Sequence, residues 1–278
     1  MFEAIFLGIV QGLTEFLPIS STAHIRIFGE FMDGAKDPGA RFTAIIQIGT
    51  ELAVLIYFRK DIARILRSWF AQVFQRQQLT GDAKSQARMG WLIIIGSIPI
   101  VVLGYLGSDL IENNLRSLWL IATTLIVFGV ILGLADTYGK RERTLDQLSN
   151  RHGLLYGAAQ ALALMPGVSR SGATIAMGRI LGYKREAALR YSFLLAIPAV
   201  FGSGLYQLKQ AMDDSSVSVY SMPEILVATV TAFIVGYIVI AWLMKFISTK
   251  SFTPFVIYRV VLGSALLIAL ATGVISAQ

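Results

Sequence analysis

The 278-residue chain contains no cysteine, which excludes disulfides, thiolate catalysis and cysteine-based zinc sites and leaves the redox compartment without a marker. Histidine is almost as scarce: two residues cannot build a histidine-rich metal centre. Charge is thin as well, at 15% of residues against about 25% in an ordinary soluble domain. The balance is nevertheless +7. No basic stripe interleaved with aromatics accompanies that surplus, and the cations sit in loops, so nucleic acid is not an expected partner. The first residues carry no Lys or Arg. The only early charge is the acidic Glu3, and no cleavable signal is expected. Nor does any Pro/Ser-rich linker or shift of composition divide the chain, which reads as a single membrane domain over 1–278.

What the chain has instead is apolar length. Hydrophobic residues make up 55% and the mean hydropathy is +0.65. Long apolar runs recur at 41–58, 89–108, 117–136, 187–208, 224–247 and 253–275, each close to the ~20 residues a helix needs to cross the hydrocarbon core. Six transmembrane helices are expected. Two further apolar pieces, 2–16 and 154–165, are too short to cross alone. Each runs at once into a Pro-containing polar loop, 18-PISSTAH-24 and 166-PGVSRSGAT-174, and reads as one arm of a re-entrant helical hairpin.

The two halves also repeat. At an offset of 149 residues 8-GIVQ-11 meets 157-GAAQ-160 and 41-RFT-43 meets 190-RYS-192, dividing the chain into repeats of about 1–137 and 150–278. Charge placement gives the repeats opposite orientations. Segments 59–88, 137–151, 183–190 and 245–251 hold sixteen of the twenty-four Lys and Arg. Segments 26–41, 109–116 and 209–223 hold five, offset by Glu30, Asp33, Asp37, Asp109, Glu112, Asp213 and Asp214. The first set is then cytoplasmic. The expected fold is an all-α polytopic membrane protein with inverted-topology repeats, a plan that puts sites near the midplane at broken helices.

At such breaks the helices that start near Ser20 and Ser169 leave backbone N–H groups unpaired and present the positive ends of their dipoles, which suits an anion. Arg170 adds a planar fork matched to phosphate, and an intramembrane Arg or Glu is by default a functional candidate. A salt bridge from Arg170 to Glu15 that merely joins the halves is the bland alternative. Ser169, Ser171 and Thr174 bring donors beyond what one carboxylate needs. Ser20, Ser21 and Thr22 read as helix caps when each is taken alone, and His24 as a hydrogen-bonded interior residue. Gln11 and Glu15, spaced i,i+4, share a helix face and could hold a divalent cation through oxygen. Glu51 and Arg259, both inside apolar runs, could line the cavity or pair with each other.

These segments resemble the bacitracin-resistance family of undecaprenyl-diphosphate phosphatases. The likeness runs through 11-QGLTE-15, 16-FLPISSTAH-24, 46-IQIGTELAV-54, 166-PGVSRSGATI-175 and 254-PFVIYR-259, essentially the whole chain. It implies an integral enzyme of the bacterial plasma membrane that removes one phosphate from undecaprenyl diphosphate and returns the monophosphate carrier to cell-wall synthesis. It also implies a phosphatase centre at Glu15, Ser20, Ser21, His24, Ser169, Arg170 and Thr174, assisted by a divalent cation, Mg²⁺ or Ca²⁺. The chain departs from the commonest family pattern at Gln11, where many members have a second Glu, at Ala23 and at Glu51. Metal binding would then rest on Glu15 and substrate oxygens, with Glu51 as a substitute ligand.

On this reading Arg170, the loop N–H groups and the cation take the diphosphate. Ser20, Thr22, Ser169, Ser171, Thr174 and Gln11 bind substrate. Ser21 is the nucleophile with His24 as its base, or else His24 or Glu15 holds an attacking water. The cavity is expected to open to the outer face, with membrane lipids and a second copy of the chain as further partners. A transporter or flippase of a prenyl-phosphate lipid is the rival, since inverted repeats are common in transporters and fold does not fix function. The type-2 phosphatidic acid phosphatases are echoed by 21-STAH-24 and 169-SRSG-172, but their histidine after Ser-Arg is missing: His152 precedes the motif.

Overall fold

The computed structural model describes residues 1–30, 38–107, 115, 117–213 and 220–275. Asp33, Asp37, Asp109, Glu112 and Asp214 lie outside these described residues. Within them the chain is all helical, with no strand. Five helices are long and apolar enough to cross a membrane: α5 (Gly81–Leu106), α6 (Leu118–Tyr138), α9 (Arg185–Asp213), α10 (Met222–Thr249) and α11 (Thr253–Ala271). The count rises to six if α3 (Gly39–Tyr57) and α4 (Arg59–Val73), bent by 78° at Phe58, are taken as one broken span.

The apolar runs located these helices, but two boundaries moved. Helix α5 starts at Gly81, eight residues ahead of its apolar run, because Ala83, Lys84, Gln86, Ala87 and Arg88 form helix readily, Asp82 suits the first turn, and none of them needs lipid. Helix α4 lies inside what read as a charged loop. Its apolar residues recur at helical spacing, with Ile65 buried and Leu66 and Phe70 exposed, while Lys60, Arg64 and Arg67 hold another face. Such a helix suits a membrane interface rather than a span.

The remaining four helices make two matched units. In the first, α1 (Phe2–Thr14) breaks into a turn and restarts as α2 (Ser21–Gly29). In the second, α7 (Asn150–Ala161) passes through a short 3₁₀ turn and restarts as α8 (Arg170–Ile180). The restarts share their details. Ser20 and Ser169 hold φ of +73° and +69°, a region that non-glycine residues seldom occupy. Each side chain accepts the N–H three residues on, from Ala23 at 3.4 Å and from Gly172 at 3.2 Å. Each hydroxyl also meets its neighbour two on, Ser20–Thr22 at 3.1 Å and Ser169–Ser171 at 3.2 Å. Strain of this kind costs about 1–3 kcal/mol and persists where the surroundings over-determine it.

Each unit is held by a helix of the other half. Helix α1 lies on α10 so closely that a Cβ on Gly8 would come 2.5 Å from the Ala228 carbonyl oxygen; α7 lies on α5 so closely that one on Gly157 would come 2.5 Å from that of Gly96. Small residues permit this approach where hydrophobic association is unavailable. The far end of α8 is anchored by buried charge. Arg179 donates to Asp136 Oδ1 (3.0 Å) and to the carbonyls of Lys140 (2.9 Å) and Gly139 (2.8 Å). Arg185 grips both oxygens of Asp136 (2.7 and 2.8 Å), and the N–H of Phe252 adds a 3.2 Å bond. Asp136 thus ties the ends of α6, α8, α9 and α11 with its lone pairs filled, the condition for burying a carboxylate at tolerable cost.

Candidate active site

Both breaks open on one cavity of about 530 Å³. Glu15, Ser20, Ser21, Thr22, Ser169 and Arg170 contribute from the breaks, Thr43 and Gln47 from α3, and Ile100, Val101, Ala199, Val200 and Gly202 from α5 and α9. A polar group of hydroxyls and charges therefore shares one space with a long apolar wall.

Glu15 is the centre of the polar group. It is 6% exposed and sits one residue beyond α1. Its Oε1 accepts from Arg170 at 2.6 Å, and its Oε2 accepts from Gln11 Nε2 at 2.8 Å and from the Ser21 hydroxyl at 2.6 Å. Bonds to an ionised acceptor are short and about twice as strong as neutral ones. Helical geometry supplies the rest: the first N–H groups of α2 and α8 have no intrahelical acceptor, and both helix N-termini stand at the cavity. Glu51, fully buried on α3, stands 3.9 Å from the same Arg170 nitrogen.

Of the residues expected from the sequence, Glu15, Ser20, Ser21, Thr22, Ser169 and Arg170 are brought together at the cavity. Ser171, Thr174 and Gln11 stand behind its wall. Ser171 donates to the Leu17 carbonyl (3.2 Å), Thr174 bonds the Arg170 carbonyl (2.7 Å) and Ser192 (2.6 Å), and Gln11 bonds Glu15. They hold the breaks in shape and are not among the residues that line the cavity.

Three expectations about pairing change. His24 does not reach Ser21: Nδ1 is 2.7 Å from the Ser20 carbonyl and Nε2 is 2.7 Å from the Tyr258 hydroxyl, so both ring nitrogens are taken. The serine proton goes to the Glu15 carboxylate, whose negative charge makes it the stronger acceptor. Arg259 does not pair with Glu51, nor does it line the cavity. It donates instead to the carbonyls of Pro18 (3.1 Å) in the first break, Gly167 (2.8 Å) and Val168 (3.1 Å) in the second, and Thr124 (3.3 Å) and Leu125 (3.1 Å) of α6. Finally, the Arg170–Glu15 ion pair is present, and it faces the cavity rather than being sealed between helices. Tyr258 was missed, although 254-PFVIYR-259 stood out in the sequence.

Fold and site define a polytopic helical membrane protein with an anion-suited centre where two broken helices meet. Residues 4–265 match the family described as Bacitracin resistance protein BacA, and the chain belongs to that family. It is 62% identical over 276 residues to the undecaprenyl-diphosphatase of Micrococcus luteus, covering 99% of both chains. It is 59% identical over 279 residues to the undecaprenyl-diphosphatase of Paenarthrobacter aurescens, again at 99% of both. The protein named undecaprenyl-diphosphatase 2 of Agrobacterium fabrum is 57% identical over 275 residues, 99% of this chain and 97% of its own.

Proposed function

We propose that this protein hydrolyses undecaprenyl diphosphate to undecaprenyl phosphate and inorganic phosphate in the bacterial plasma membrane. The observation that carries the reading is the Ser21 hydroxyl held 2.6 Å from the Glu15 carboxylate beside Arg170: a nucleophile, a base and a phosphate-binding cation in one cavity. The apolar wall from α5 and α9 gives the prenyl chain a surface continuous with lipid. A transporter needs binding groups only, so the serine–carboxylate contact favours chemistry.

In the mechanism, Arg170 and the N-termini of α2 and α8 neutralise the diphosphate, the main task in phosphoryl transfer. Glu15 takes the proton as Ser21 Oγ attacks the terminal phosphorus and passes it to the lipid monophosphate, which leaves as its P–O bond breaks. Water then attacks the phosphoserine and gives its proton to Glu15, which returns it to Ser21 Oγ as the serine P–O bond breaks and phosphate is released. Glu15 and Gln11 can offer a metal only oxygen, and the Gln11 Oε1 is buried without a partner, which fits a hard divalent cation. Glu15 and Gln11 would hold it, and when bound it supplies further charge neutralisation. Among the described residues no group of three or more His, Asp or Glu could cage a metal, so substrate and water would complete the shell. The test is phosphate release from a prenyl diphosphate by purified protein, with and without chelator. No release, or release indifferent to Arg170→Ala, would refute it.

Serine and water nucleophiles part on one comparison. We expect Ser21→Ala to lower turnover ~10²–10⁴-fold, the usual range for a lost proton-transfer partner, with little change in diphosphate affinity. His24→Ala should act more weakly, through the Ser20 carbonyl it holds. A Ser21→Ala protein that keeps substantial turnover would make Glu15 the base for an attacking water.

The two broken units fit re-entrant hairpins of opposite orientation, with α1–α2, α3, α5 and α6 in one repeat and α7–α8, α9, α10 and α11 in the other. Support comes from the shared serine geometry at the restarts and from the exchange of α1 onto α10 and α7 onto α5. With the Lys/Arg-rich segments cytoplasmic, the cavity opens outward. The chain has no cysteine of its own, so a Gln77→Cys variant gives a clean reading. It should resist an impermeant thiol reagent in intact cells; labelling there would reverse the topology.

A further inference from the structure

Two fully buried oxygens of Glu51 have no hydrogen-bond partner, and neither has the Oε1 of fully buried Gln11. A buried carboxylate without a partner is among the most expensive arrangements in a protein. Two other buried charges are satisfied: Asp136 takes four bonds, and Arg259 donates to five carbonyls. The orphaned oxygens of Gln11 and Glu51 are both tied to the Glu15–Arg170 pair. Gln11 bonds Glu15 through its nitrogen, which leaves its oxygen free, and Glu15 and Glu51 approach the same Arg170 nitrogen at 2.6 and 3.9 Å. Two carboxylates therefore share one guanidinium.

We infer that Glu51 is a ligand of a divalent cation, with Glu15 and the Gln11 side-chain oxygen completing the protein's share of an oxygen-only site. Carboxylate and amide oxygens are the donors that Mg²⁺ and Ca²⁺ select, and one or two carboxylates suffice when water and phosphate supply the rest. The charge arithmetic agrees. With the ion bound and both carboxyl groups ionised around it, two negative charges, one guanidinium and one divalent cation sum to +1 before the diphosphate arrives. A cation on the carboxylates also relieves Arg170 of Glu15, freeing the fork for phosphate. This last use rests on the hydrolase reading, whereas binding of the cation does not.

The test measures the cation alone. Full-length protein in detergent is titrated with Ca²⁺ and, separately, Mg²⁺ by calorimetry in the absence of substrate. Wild type should bind one ion per chain, and Glu51→Gln should weaken binding at least ~10-fold, since the neutral isostere loses charge and not shape. Glu142→Gln, at an exposed position, should change nothing. Should Glu51→Gln fail to fold, Gln11→Glu carries the test: a third carboxylate in the cluster should tighten binding, and unchanged affinity overturns the inference. Undiminished affinity in Glu51→Gln overturns it too, leaving Glu51 a neutral acid, as does a wild-type protein that binds neither ion. Phosphate release assayed in parallel separates the two claims. Turnover without a Glu51-dependent ion sinks the cation site alone, and an ion bound through Glu51 without turnover sinks the hydrolase alone.

Discussion

Replacing Arg170 with alanine should cost ~10³–10⁵ in phosphate release, the range seen when an arginine that meets a transferring phosphoryl group is removed. Arg170→Lys should recover little, because an ammonium keeps the charge and loses the bidentate fork. Glu15→Gln should fall almost as far, having lost the acceptor for the Ser21 proton while keeping the shape that Gln11 and Arg170 pack against. The informative variant is the double one. Glu15 and Arg170 touch at 2.6 Å, so their effects should not add. Glu15→Gln with Arg170→Gln should be no worse than the poorer single variant, and it leaves neither partner as a lone buried charge. Monodispersity on size exclusion separates lost chemistry from lost fold. Turnover near wild type in Arg170→Ala would remove the arginine from the site; strictly additive losses would mean that the pair is not one catalytic unit.

Much of this architecture could be read before the structure, and the reasons for success and failure are physical. A span must bury about twenty residues of backbone hydrogen bonds in lipid, so α6, α9, α10 and α11 announce themselves as apolar runs. Helix α4 carries no such run. It pairs an apolar face with Lys60, Arg64 and Arg67, and only its periodicity, masked by the charges, marks it as helical. The breaks were legible because a proline and a run of hydroxyls interrupt apolar sequence, and the convergence of Glu15, Ser21 and Arg170 followed from matching the two halves. Side-chain pairing was not legible. Ser21 and His24 are one helical turn apart, but the serine proton goes to a carboxylate six residues upstream, and the imidazole turns back to the Ser20 carbonyl and across to Tyr258. Opposite charges in apolar runs suggested a Glu51–Arg259 pair. Which carbonyls a broken helix leaves open, and hence what Arg259 prefers, depends on the fold of three separate segments.

Arg259 is fully buried and spends its guanidinium on carbonyls of both breaks and of α6; Gly129 and Gly172 leave room for it, since a Cβ on either would come within 3.1 Å of its side chain. No other side chain joins Pro18 of one break to Gly167 and Val168 of the other in the bonds described. Arg259→Met should strand these acceptors at about 1–3 kcal/mol each where nothing replaces the donor, and a sharp fall in the thermal unfolding midpoint is expected. Arg259→Lys is the sharper variant. Its charge survives, but an ammonium cannot point at five carbonyls, so the breaks should shift against each other and part Ser21 from Arg170. A displacement of about 1 Å at a reacting centre costs ~10² in rate. The loss should therefore appear in kcat with KM changed far less, because Arg170 and the helix termini still attract the diphosphate. Arg259→Lys with normal kcat would mean that each break holds its shape unaided; equal losses in kcat and affinity would mean that Arg259 supports the fold as a whole and not the alignment of nucleophile and phosphate.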